Sequence, residues 1–256
     1  MFDGNMRRAS YFVEVAKAGS KGAGKGKGAA AGKSATIRAP EKAWARATPA
    51  PARRRPTQER SQRRFESIVT AAAESFARFG FADTTMEGIA ARAGTSIGSV
   101  YQFFPNKRAV FREVARRCME LSRRSYAELL GPEPLAQPWD QLLARFIDGF
   151  VALHRDSVVM QAVWRNLELY GEYAEADQAL LRELVEATAM LFAGWVPQLS
   201  DEPRRVVATM LVNTVAAMML VLVREESFGR GEAIVAETKL MLRRYLAVYL
   251  GEPSGE

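Results

Sequence analysis

The chain has 256 residues, 48% hydrophobic and 25% charged, with a formal net charge of +7. That composition suits one large or two smaller globular domains; it is too apolar for a disordered chain and too poor in Gly and Pro for a fibre. A single cysteine, Cys118, and a single histidine, His154, exclude a disulfide framework, a four-thiolate zinc site, a CxxC redox pair and HExxH chemistry.

The only acid near His154 in sequence is Asp156, and no nucleophile elbow accompanies it. No catalytic residue, metal site or cofactor is therefore expected. The charge is uneven: residues 1–56 hold thirteen Lys and Arg against three acidic side chains, whereas 113–256 is net acidic. This polarity points to a nucleic-acid partner met through the front of the chain. Residues 19–56 are low-complexity, GSKGAGKGKGAAAGKS and then Ala/Pro-rich sequence ending in ATPAPARRRP. Small side chains, mutual lysine repulsion and prolines predict disorder there, with Arg53, Arg54 and Arg55 as a basic arm beside the folded body. The apolar stretch 11–16 is too short for a secretion signal, so a cytoplasmic protein is expected.

From Thr57 the pattern turns helical. Phe65, Ile68, Val69, Ala72, Phe76 and Phe79 fall on one helical face, and Gly80 supplies the stop. Thr84-Thr85-Met86-Glu87 reads as a capping box with Thr84 as the cap, opening a short helix that Gly94 ends after Ala93. Ser96 caps a helix over 97–104, Pro105 closes it, and Asn106 caps a long helix from Lys107 to about Leu130. After the Gly131-Pro132-Glu133-Pro134 break, helices are predicted at about 138–153, 157–170, 173–195, 203–226 and 231–250. No segment alternates with period two for long enough to make a strand. The fold class is all-α: a three-helix unit over 57–112, then a bundle of about six helices over 113–256.

The helix from Met86, the tight Gly94-Thr95 turn and the helix from Ile97 form a helix-turn-helix unit. Ile89, Ala90, Ala93, Val100 and Phe104 are expected to hold its two helices together over a floor of Phe76 and Phe79, with Ala90 and Gly94 small where the helices cross.

Residues 68–114, IVTAAAESFARFGFADTTMEGIAARAGTSIGSVYQFFPNKRAVFREV, resemble the DNA-binding domain of the TetR/AcrR family of transcriptional regulators. The match runs through Phe76, Gly80-Phe81, Thr84-Thr85, Ile89-Ala90, Ala93-Gly94, Ser96, Gly98, Val100-Tyr101, Phe104 and Lys107. The resemblance implies phosphate contacts from Thr85, Tyr101 and Lys107, and base readout from Ser96, Ile97, Ser99 and Gln102. Ile97 stands where a basic residue or threonine is common in the family, and Phe103 where a histidine or tyrosine is usual. Ile97 suits a thymine methyl or simple packing, Gln102 suits adenine N6/N7, and Phe103 suits packing. The C-terminal part matches the family only in length and helical character.

The expected protein is a homodimeric, ligand-responsive repressor that binds double-stranded DNA at a palindromic operator. A sequence-tolerant, nucleoid-type DNA-binding protein driven by the basic tail is the alternative. Met160, Trp164, Tyr170, Met190, Phe192, Trp195 and Asn213 are candidates to line a pocket for an apolar or aromatic effector. The link to DNA is expected through the helix from Lys107. The charge-free run 206–223 is read as a dimer core rather than a membrane span, with Ala217, Leu220, Leu242, Leu246 and Tyr249 at the interface. His154 is read as a surface or capping residue, Cys118 as a small packed side chain, and Glu168, Glu172 and Glu175 as a solvated face.

Overall fold

A computed structural model describes residues 59–130, 134–225 and 229–252, and no strand occurs among them. The first helix, α1 (Glu59–Asp83), buries Phe65, Ile68, Val69, Ala72 and Phe76 along the anticipated face. Gly80 breaks it with φ 76° and ψ 170°, a conformation only glycine adopts cheaply. Phe79 departs from the expected floor. It is 46% exposed and lies between the guanidinium groups of Arg78 and Arg92.

Helix α2 (Met86–Arg92) starts one residue later than the capping box suggested. Thr85 is its cap and accepts the Gly88 N–H, while Thr84 is buried and donates to the Gly80 carbonyl at 2.7 Å. Helix α3 (Ile97–Phe103) is capped by Ser96. The turn between them needs Gly94 for its φ of 62°, not for space, because a Cβ there would meet nothing within 4 Å. Asn106 caps α4 (Lys107–Leu130) by accepting the Ala109 N–H at 2.9 Å.

The remaining helices are α5 (Trp139–Asp156), α6 (Val158–Trp164), α7 (Ala174–Trp195), α8 (Asp201–Glu225) and α9 (Gly231–Leu250). The single helix predicted over 157–170 is instead α6 followed by a 3-10 turn, Leu167–Glu172. The break falls at Asn166, whose φ of −114° and ψ of 52° leave the helical region. Its side chain bonds the Phe76 and Ala162 carbonyls and the Phe81 N–H, and tertiary bonds of this kind outweigh the local helical pattern.

Two apolar cores organise the chain. In the first, Phe65 stacks on Phe104 at 5.2 Å and meets Phe103 edge-on at 5.6 Å. Phe76, Phe81 and Phe111 pack around one another, and Phe111 reaches Tyr173 at 6.3 Å. Met160 and Val163 of α6 belong to this core as well, and α4 runs unbroken through the domain boundary anticipated at 112/113. The second core joins α5, α7, α8 and α9 through Ile147, Phe192, Val215, Met219, Leu242 and Leu246. Trp164 packs against both.

Helix α8 is long and apolar enough over 201–223 to cross a membrane, but only 33% of its most apolar window is buried within the chain. Val206, Met210, Ala217 and Val221 face outward at helical spacing.

Candidate nucleic-acid interface and interior cavity

The cap of α2 and the exposed side of α3 carry most of the residues named for DNA contact. Thr85 uses its hydroxyl oxygen as an acceptor for Gly88, which leaves its proton free to donate. Ser96 and Ser99 share a hydrogen bond of 2.9 Å at the start of α3, and Ser96 also accepts the Ser99 N–H at 3.2 Å. Tyr101 is 45% exposed and Gln102 is exposed beside it. Ile97 is half-buried against the first core, and Phe103 is buried beneath α3, so it packs inside the head.

Lys107 departs from its expected role. Its ammonium donates to the carbonyls of Phe81 at 2.6 Å, Ala82 at 3.1 Å and Thr84 at 2.6 Å, and it sits 4.4 Å from the Phe81 ring centre. An ammonium has three protons, so all of them are engaged with the turn that precedes Thr85. In the DNA-free chain the lysine organises that turn. Arg53, Arg54 and Arg55 lie outside the described residues.

The body contains a cavity of about 100 Å³ bounded by α4, α5, α7, α8 and α9. Of the seven residues anticipated to line it, Phe192 and Trp195 do so. The other five are elsewhere for separate reasons. Met160 is in the first core, where its sulfur receives the Cys118 thiol at 3.3 Å. Trp164 bridges the cores, and Tyr170 bonds Asp177 at 3.0 Å outside the cavity. Met190 is 55% exposed, and Asn213 donates to Thr209 on its own helix at 2.8 Å.

The cavity wall is instead supplied by Trp139, Phe146 and Phe150 of α5, with leucines from α7 and α8. Its polar groups are Ser122, Tyr126 and Thr188, and no charged side chain reaches it. Thr188 donates to the Leu184 carbonyl at 2.7 Å and accepts from the Tyr126 hydroxyl, also at 2.7 Å. Burial raises the Tyr126 pKa, so the phenol is protonated at neutral pH. The apolar spacing of α5 could have flagged Phe146 and Phe150. Nothing local marks Tyr126 and Thr188 as partners, since they meet only through tertiary packing.

Three further residues depart from their sequence reading. His154 is buried: its Nδ1–H donates to the Phe150 carbonyl at 2.9 Å, and its Nε2 is buried without a partner. Burial pulls its pKa down to about 4, only partly offset by the carbonyl, so the ring is neutral. Glu172 is not a solvated carboxylate like Glu168 and Glu175. It accepts from Arg108 at 2.5 Å and Arg112 at 2.9 Å, and these bonds outweigh its desolvation and hold it below the usual glutamate range. Leu242 and Leu246 lie in the second core, Tyr249 is half-buried against it, and Leu220 is buried within the chain. Of the five expected interface residues, Ala217 alone is exposed.

An exposed second helix of a helix-turn-helix on a three-helix head, joined to an all-helical body, is the architecture of a helix-turn-helix DNA-binding protein. The family model described as bacterial regulatory proteins, tetR family, matches residues 68–114, and the tetracyclin repressor-like C-terminal domain matches 138–246. The HTH-type transcriptional regulator RutR of Escherichia coli O157:H7 is 25% identical over 146 residues, 56% of this chain and 59% of that protein. The uncharacterized HTH-type transcriptional regulator YhgD of Bacillus subtilis is 33% identical over 119 residues, 46% of this chain and 58% of its own length. A crystal structure of a TetR-family transcriptional regulator from Streptomyces coelicolor superimposes with a TM-score of 0.56 at 26% identity, covering 74% of this chain and 99% of that one. The match thus spans less than two thirds of either curated relative. This chain belongs to the TetR family of bacterial regulatory proteins.

Proposed function

We propose that the protein is a homodimeric, DNA-binding transcriptional repressor released from its operator by an uncharged, largely apolar effector. The observation that carries this reading is the α3 surface, which leaves Tyr101 and Gln102 exposed and pairs Ser96 with Ser99 at its first turn, after a helix capped by Thr85. A helix presented in this way fits the major groove, with Gln102 suited to adenine and Tyr101 and Thr85 to phosphate. Two heads on a two-fold axis would meet half-sites about 34–36 Å apart. The outward apolar stripe Val206, Met210, Ala217 and Val221 on α8, with Leu240, Met241 and Val248 on α9, supports pairing of two copies there.

The lining of the cavity supports this effector class. With no charged group in its wall, a cation or carboxylate would be desolvated without a counter-charge, which is costly. Aromatic walls and the few hydroxyls of Ser122, Tyr126 and Thr188 favour a neutral ring compound with little polar surface. The test is reciprocal linkage, with the uncharged fluorescent probe N-phenyl-1-naphthylamine titrated into free protein and into protein bound to a duplex selected from random DNA. Weaker probe binding on the DNA complex is expected, since the effector must prefer the off-DNA shape. Equal affinities would remove the effector from the proposal.

A further inference from the structure

We propose that Asn166 latches the helix-turn-helix head to the body, and that a ladder of rings from the cavity wall holds that latch in place. Asn166 is 1% exposed, and its amide closes both sides of the Gly80 break. Nδ2 donates to the Phe76 carbonyl in the turn of α1 before the Gly80 break at 3.2 Å and to Ala162 on α6 at 2.7 Å. Oδ1 accepts the Phe81 N–H, the first donor past the break, at 2.6 Å. Arg165 adds a bond to the Ala77 carbonyl at 3.4 Å. The turn after Asn166 ends at Glu172, which grips Arg108 and Arg112 at the start of α4. One short segment of the body thus grips the chain at two points, the Gly80 break of α1 and the start of α4.

The ladder begins at the cavity. Tyr126 meets Phe146 at 5.2 Å, Phe146 stacks on Phe150 at 6.0 Å, and all three rings line the cavity. Phe150 meets His154 at 4.5 Å, and His154 meets Trp164 at 4.9 Å, two residues before Asn166. Packed interiors have low compressibility and transmit strain, and beyond Phe150 the ladder continues through His154 and Trp164, away from the cavity wall. A guest that moves Phe146 or Phe150 therefore presses through His154 on Trp164 and on the latch. The hinge it acts on is Gly80, where a Cβ would lie 3.7 Å from Asn166 Oδ1.

The test is amide hydrogen exchange on the full chain, read at the Phe81 N–H, for wild type, Asn166→Ala, His154→Ala and the ring-preserving His154→Phe. Loss of one buried hydrogen bond corresponds to roughly tenfold faster exchange. Asn166→Ala and His154→Ala should each show that acceleration at Phe81, with His154→Phe close to wild type. Exchange at Gly94 and Thr95, whose N–H groups bond the Ala91 and Ala90 carbonyls and not the latch, should stay unchanged in all variants. Unchanged Phe81 exchange in His154→Ala, or acceleration spread evenly over the head, would overturn the latch. A second arm adds saturating N-phenyl-1-naphthylamine. It rests on the cavity being the effector site, and it should accelerate Phe81 exchange in wild type and not in His154→Ala. A probe that fails to bind contradicts the effector reading, while the Phe81 result without probe still decides the latch.

Discussion

Tyr126 and Thr188 stand with their hydroxyl oxygens 2.7 Å apart on the cavity wall, and the direction of that bond is fixed. Thr188 gives its own proton to the Leu184 carbonyl, so Tyr126 must be the donor between them. The phenol then offers a guest its lone pairs. A neutral ligand carrying one O–H or N–H should bind better than the matching hydrocarbon. 1-Naphthol is expected to outbind naphthalene by about 1 kcal/mol in wild type, and this preference should vanish in Tyr126→Phe. Calorimetric titration of both compounds checks it; a preference kept in the variant would move the polar contact elsewhere.

Residues on α3 and at the α2 cap should separate by kind. Gln102→Ala is expected to cost ~1–3 kcal/mol mainly at its own base position, whereas Tyr101→Phe weakens all sequences alike. Lys107→Ala should behave differently from both. Removing an ammonium that serves three carbonyls loosens the turn before Thr85, so thermal stability should fall along with DNA affinity. A Lys107→Ala protein with wild-type Tm and weaker DNA binding would restore the phosphate role.

Interface and core positions on the last two helices should also part. Met210→Glu and Ala217→Glu place a carboxylate on the outward stripe and are expected to give folded monomers in ultracentrifugation, with loss of operator binding. Leu246→Ala, at 2% exposure inside the subunit, should cost about 2–5 kcal/mol of stability. Dimers that survive both glutamate variants would locate the interface elsewhere.

His154 gives stability a pH dependence with a definite sign. The unfolded imidazole takes a proton near pH 6.5, while the buried one does so only at about 4. Between those values the unfolded state binds more protons, so stability should fall as pH drops, by ~1.4 kcal/mol per unit, and be level above 6.5. Denaturant melts of wild type and His154→Phe between pH 7 and 5 check this, the variant serving as the control for every other titrating group. The variant should lose the slope.

The head was legible because its signals are local. Caps, the Gly80 stop, the Gly94 turn and the apolar spacing of α1 each act within a few residues. The slip from Thr84 to Thr85 is of the same local kind, since two adjacent threonines compete and burial chooses between them. The body was legible as helices but not as a site. Met190 and Asn213 sit on the right helices with the wrong orientation, and helical spacing does not tell which face meets a cavity. His154 and Asn166 were missed for another reason. Their roles arise from contacts with Trp164 and Phe76 that only the folded chain creates.

Whether α3 reads DNA is decided by selecting bound duplexes from a random pool with purified full-length protein. The structure leads us to expect an enriched palindrome whose half-sites are centred one helical turn apart, about 10–10.5 base pairs or a multiple of that. In Gln102→Ala, preference should relax at one position in each half-site. A pool that stays random, with binding that merely falls steeply as salt rises, would contradict this and leave the nucleoid-type reading in its place.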